Sequence, residues 1–115
     1  MDVYGTGLDF AVDVHHLTDR YKAGRKHIAD QLRRASCSVI TNTSEAAGEK
    51  APLEKARIFR LALRSATECT GLLTLSYRLD LLTTDELQRT RNLNIRVYAM
   101  LTRLVRTHEA AGLTG

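Results

Sequence analysis

Arg89, Arg96 and Arg103 recur at every seventh residue, Arg91 and Arg106 stand beside them, and no acid falls between Glu86 and Glu109. On a helix a seven-residue repeat keeps side chains on one flank, so the three form a row of cations spaced about 10 Å apart. Arg57, Arg60 and Arg64 make a second row at i, i+3 and i+7, while Arg25, Lys26, His27, Arg33 and Arg34 make a third basic group. Arginine supplies 13 of the 17 basic residues, and its planar fork suits phosphate and carboxylate oxygens. The chemistry such rows offer is phosphate-backbone binding, steeply salt-dependent and nearly indifferent to base sequence. The plainer alternative is a set of solvated helix faces paired with acids. Asp9, Asp13 and Asp19 give the N-terminal segment the opposite sign within a formal net charge of +4. That separation either gathers phosphates or docks the acidic side of one subunit on the basic side of another.

A second constellation lies in Gln31 to Glu45. Its apolar positions, Ile28, Leu32, Ala35, Val39 and Ile40, keep helical spacing, whereas Ser36, Cys37, Ser38 and Thr41 let another backbone approach closely. Ser38 and Asn42 there, with Ser65, Glu68 and an arginine, are expected to form one buried polar network that fixes helix register, in preference to a binding pocket.

Catalysis has little support. His15 and His16 point about 100° apart around a helix and lack the HExxH spacing. Cys37 and Cys69 fall on separate segments without CxxC spacing, so both are expected to be reduced core thiols rather than nucleophiles or zinc ligands. Gly5 and Gly7 make no phosphate-cradling loop. No enzyme activity, metal or cofactor is therefore expected.

The elements that position these residues are helical throughout. A 115-residue chain with 43% hydrophobic and 26% charged residues and one proline makes a single all-α domain over 1–115. Phe10, Val14, Leu17 and Tyr21 place helix one at about 8–23, with Gly24 as its stop. Helix two spans about 26–47, closed by a left-handed Gly48. Pro52 starts helix three, which carries apolar residues from Leu53 to Leu73 over about 52–78. Thr83 and Glu86 form a capping box, and Leu82 staples onto Leu87, for helix four at about 84–111, with Gly112 to Gly115 frayed. Four amphipathic helices with short links predict an antiparallel up-and-down bundle. No apolar run reaches the roughly 20 residues of a membrane span and no basic or apolar signal segment opens the chain, which places the protein in the cytosol, away from membranes.

Gln31-Leu32-Arg33-Arg34-Ala35-Ser36, followed by Ser38, Asn42 and Glu45 and then by Ala62, Ser65 and Glu68, resembles the motif of four-helix bundle proteins encoded within bacterial 23S ribosomal RNA intervening sequences. The resemblance covers about residues 8 to 108, departing from the family pattern at Ile40, Ala46, Glu49 and Arg64. It extends to the similar accessory variability determinant proteins of diversity-generating retroelements. What the resemblance implies is a homopentameric ring that binds nucleic acid, in the retroelement relatives together with a reverse transcriptase, and that has no catalytic activity. Carried over residue by residue, its signature here is Arg33, Arg34, Ser38, Asn42, Glu45, Ser65 and Glu68, which imply fold and packing more than a ligand site.

Two functions follow. One is a nucleic-acid-binding oligomer using Arg57, Arg60, Arg64, Arg89, Arg91, Arg96, Arg103 and Arg106 on structured RNA or duplex, because 5% aromatic content leaves little for base stacking. The other is an interaction scaffold for a partner enzyme such as a reverse transcriptase, with the arginines spent on subunit contacts.

Overall fold

Asp2 accepts a hydrogen bond from the Gly5 amide at 2.6 Å and caps a helix that begins at Val3, well ahead of the expected start at Leu8. The structure, a computed structural model, describes residues 2–114. The helices are α1 (Val3–Thr18), α2 (Lys26–Gly48), α3 (Pro52–Arg78) and α4 (Thr84–Thr114), with a short 3-10 turn at Ala23–Arg25 after α1. Gly5 and Gly7 weaken helix propensity, yet Thr6 and Gly7 are buried, with Gly7 facing Val39 and Ile40 of α2.

The end of α1 also differs from expectation. It stops at Thr18 because Arg33 of α2 donates from Nε to the Thr18 hydroxyl at 2.9 Å and from Nη2 to Asp19 at 2.8 Å, while the Asp19 amide closes onto the His15 carbonyl. Tyr21 reaches the core from the irregular segment beyond, and Gly24 lies within the 3-10 turn rather than stopping a helix.

α2 ends at Gly48 without a left-handed residue: among the described glycines none has positive φ, and the chain leaves through an extended Glu49. The Glu49 amide closes onto the Ala46 carbonyl, and the Lys55 ammonium donates to that carbonyl and to the Ala47 carbonyl. α3 starts at Pro52, as expected. At its other end Asp80 takes φ 61°, the Asp80 amide bonds the Tyr77 carbonyl and the Leu81 amide bonds the Ser76 carbonyl, which is the Schellman arrangement. α4 begins with the reciprocal capping box: the Thr83 amide donates to Glu86 at 2.9 Å and the Glu86 amide to the Thr83 hydroxyl at 3.1 Å. The fray expected from Gly112 is replaced by helix through Thr114, where Gly112 lies against Leu53 of α3; the fray expected at Gly115 lies outside the described residues.

The four helices make an all-α domain about 51 Å long in which α1 packs on α2 and α4, and α3 on those same two. One apolar cluster gathers Phe10, Val14, Leu17, Leu32, Leu73, Leu82 and Leu87; the other gathers Val39, Phe59, Ala62, Val97 and Leu101. Each fully buried large side chain contributes about 1.5–3 kcal/mol. Among the described residues no helix is long and apolar enough to cross a membrane.

Candidate nucleic-acid interface

Leu87, Thr90, Asn94, Val97, Leu101 and Val105 turn one side of α4 into the core, which fixes the Arg89, Arg96 and Arg103 row on the flank facing α1. Arg89 donates to Asp13 of α1 at 3.1 Å, and the Thr90 hydroxyl donates to the same carboxylate. Arg96 and Arg103 border a shallow depression of about 190 Å³ floored by Ala99 and Met100. Arg103 also borders an adjoining hollow of about 330 Å³ with Val3, Leu104 and Thr107. Arg91, Arg103 and Arg106 are exposed and, among the described residues, form no ion pair.

The α3 row is spent differently. Arg57 grips Glu54 with two nitrogens, holding that carboxyl below the usual carboxylate range, and Arg60 bridges to Glu109 of α4 at 2.6 Å. Arg64 is exposed. Because Arg89 leans toward α1 while Arg60 meets Glu109 at the seam with α3, the two rows occupy different flanks of α4 rather than one surface.

The polar block separates into two units where one buried network was expected. The Ser65 hydroxyl donates to the Ser38 hydroxyl at 3.0 Å, and Asn42 Nδ2 donates to the Ser38 carbonyl at 2.9 Å and hydroxyl at 3.1 Å. Arg34 and Glu68 pair instead on the surface, their side chains 62% and 37% exposed, because Glu68 lies at the outer edge of the α2–α3 seam. Arg33 is committed to the end of α1, and exposed Glu45 acts on Arg57 through space. The cysteines also divide. Cys69 is buried and burial pushes its thiol up to about 12, but Cys37 is exposed rather than in the core, since Ser36 and Val39 take the inward positions of α2.

Sequence reasoning missed three features. Arg20, just past α1, forms a two-nitrogen ion pair with Glu86 of the α4 capping box, a long-range pair with no local signal. Asn94 is buried, with Nδ2 donating to the Ala66 carbonyl at 2.8 Å and the Thr70 hydroxyl at 3.0 Å; its signal is a polar residue in register with Leu87 and Leu101. The third is an apolar groove of about 420 Å³ beside the start of α1, bordered by Tyr4, Ala47, Phe59 and Leu104. Among the described residues no group of three or more His, Cys, Asp or Glu side chains could hold a metal ion.

A family model described as 23S rRNA-intervening sequence protein matches residues 1–103. Among solved structures, the chain is similar to a protein of unknown function from the S23 ribosomal protein family of Bacteroides thetaiotaomicron, with a TM-score of 0.81 at 20% identity over 90% of this chain and 98% of that one. At that identity the likeness is one of fold. No curated protein matches the chain.

Proposed function

The chain belongs to the family of 23S rRNA-intervening sequence proteins, and from that premise we propose that it is a non-enzymatic, cytoplasmic nucleic-acid-binding protein working as a homo-oligomeric ring, pentameric as the family resemblance implies. Its ligand is structured RNA or duplex, held through phosphates by the α4 arginines. The observation that carries this reading is the flank of α4 itself: Arg96 and Arg103 border one depression, exposed Arg106 follows, and no acid lies on the helix between Glu86 and Glu109. Such a row neutralises several phosphates, releases their counterions and reads no base edge. Pairing of Asp13 with Arg89, Arg20 with Glu86, Ser38 with Ser65 and Lys55 with Ala46 supports an antiparallel up-and-down bundle.

A second reading, an interaction scaffold for a partner enzyme such as a reverse transcriptase, draws on a different observation. Of the eight candidate arginines, Arg57, Arg60 and Arg89 are already bound to acids and serve the fold.

Fluorescence anisotropy with labelled hairpin RNA across a salt series tests the choice. The native protein is expected to lose affinity linearly in log salt with a slope of several units. Arg96→Glu with Arg103→Glu is expected to reduce affinity at least about 100-fold at low salt while the circular dichroism melt is retained. Undiminished binding by that variant would move the interface elsewhere, and no binding by the native protein would leave the scaffold reading.

A further inference from the structure

The three hollows described above share residues and run together as one groove. Met100 and Arg103 line both the first and the second, and Val3 and Leu104 line both the second and the third. Among the described residues α1 starts at Val3, and beside that start the groove is bordered by Ala47 of α2, Phe59 of α3 and Leu104 of α4. Its two ends differ in chemistry. One end carries Arg96 and Arg103. The other is mostly apolar, with Tyr4 45% exposed and Ser44 exposed beside it, while the buried Thr43 hydroxyl is held by the Val39 carbonyl.

We propose that this groove seats one unpaired nucleotide, with its phosphate at Arg96 and Arg103 and its base on Tyr4 and Leu104. The inference rests on the nucleic-acid reading above and deepens it, since it names a bulged or looped-out residue of structured RNA as the feature recognised. Charge complementarity sets the polarity. The phosphate belongs at the depression between Arg96 and Arg103, the one of the three hollows that Asp2, whose carboxylate caps α1, does not border. Arg103 and Leu104 both border the middle hollow, which adjoins the Arg96 depression through Arg103 and the Tyr4 end through Leu104, so the two chemistries meet there. The base gains an apolar wall and an aromatic side chain, which is how proteins hold unstacked bases, while the exposed Ser44 hydroxyl offers a hydrogen bond to its edge.

The test compares two RNAs that share one stem, a blunt hairpin and the same hairpin carrying a single extrahelical 2-aminopurine. The native protein is expected to bind the bulged hairpin about tenfold more tightly and to change the 2-aminopurine emission. Tyr4→Ala, and Ala47→Leu, which fills the groove, are each expected to erase that preference while affinity for the blunt hairpin and the melting curve are kept. Equal affinity for both RNAs by the native protein, or a bulge preference that survives both substitutions, overturns the nucleotide site and leaves phosphate binding by α4 intact. Failure to bind either RNA overturns the nucleic-acid reading and this inference with it.

Discussion

Glu86 carries two structural tasks on one carboxylate. It accepts the Thr83 amide, completing the α4 cap, and it accepts the Arg20 guanidinium, tying the segment after α1 to the start of α4. The Arg20 hydrogen bonds come first, and the Thr83 amide second, in drawing its pKa from 4.5 down to about 2. A carboxyl whose folded pKa lies below its unfolded one contributes stability fully above the unfolded value and loses it as pH falls through the folded value. The native protein should therefore lose this contribution progressively from about pH 4.5 down to about pH 2. Half-exposed Arg20 lets solvent screen the pair, so Glu86→Gln should cost about 1 kcal/mol at pH 7 and nearly nothing at the acid end. Urea titrations followed by circular dichroism at pH 7, 4 and 3 measure this. A variant that tracks the native protein in parallel at every pH would remove the charge from the account.

At the scale of elements, starts were legible where two local signals agreed. Thr83 with Glu86, and Leu82 with Leu87, give α4 a cap and a staple that no tertiary contact needs to supply. Pro52 marks the first turn of α3 by itself, without a side-chain cap, because its missing amide hydrogen is no loss there. α1 was misplaced at both ends because its boundaries are tertiary: buried Thr6 and Gly7 carry the helix through two glycines, and Arg33 ends it from another helix. The Ser38, Asn42 and Ser65 cluster was legible from small residues at helical spacing, whereas the exposure of Glu68 and Cys37 depends on how far α2 and α3 are rotated about their axes, which spacing alone leaves open. The end of α3 hides a further device, since its Schellman closure needs the left-handed conformation and Asp80 supplies it where glycine is usual. Asp80→Gly should then stabilise the protein by about 0.5–1 kcal/mol, raising the melting temperature by a few degrees. A lower melting temperature would mean that the exposed Asp80 carboxylate contributes more than the backbone strain costs.

At the scale of the molecule, the exposed large apolar side chains include Leu8 and Val12 on the outside of α1 and Ile95 and Tyr98 on the outside of α4, with Val12 and Ile95 each more than half exposed. The proposed ring would join unlike faces, each subunit offering the α1 patch to the neighbour on one side and the α4 patch to the neighbour on the other. Charge favours the same pairing, because exposed Asp9 lies beside Leu8 and Arg91 lies one turn from Ile95. Under the ring proposal, Val12→Glu and Ile95→Glu each spoil one half of every joint, and either variant alone should fall from the native assembly to the 12.8 kDa monomer in light scattering. Mixing the two variants discriminates further. The Val12→Glu subunit keeps its α4 patch and the Ile95→Glu subunit keeps its α1 patch, so one joint can form between them while both outer faces are blocked, and the mixture should stop at a heterodimer. Variants that keep the native mass would show that these patches are merely solvated. A mixture that stays monomeric would show that the patches do not meet one another, and a self-complementary, two-fold contact would then replace the head-to-tail ring.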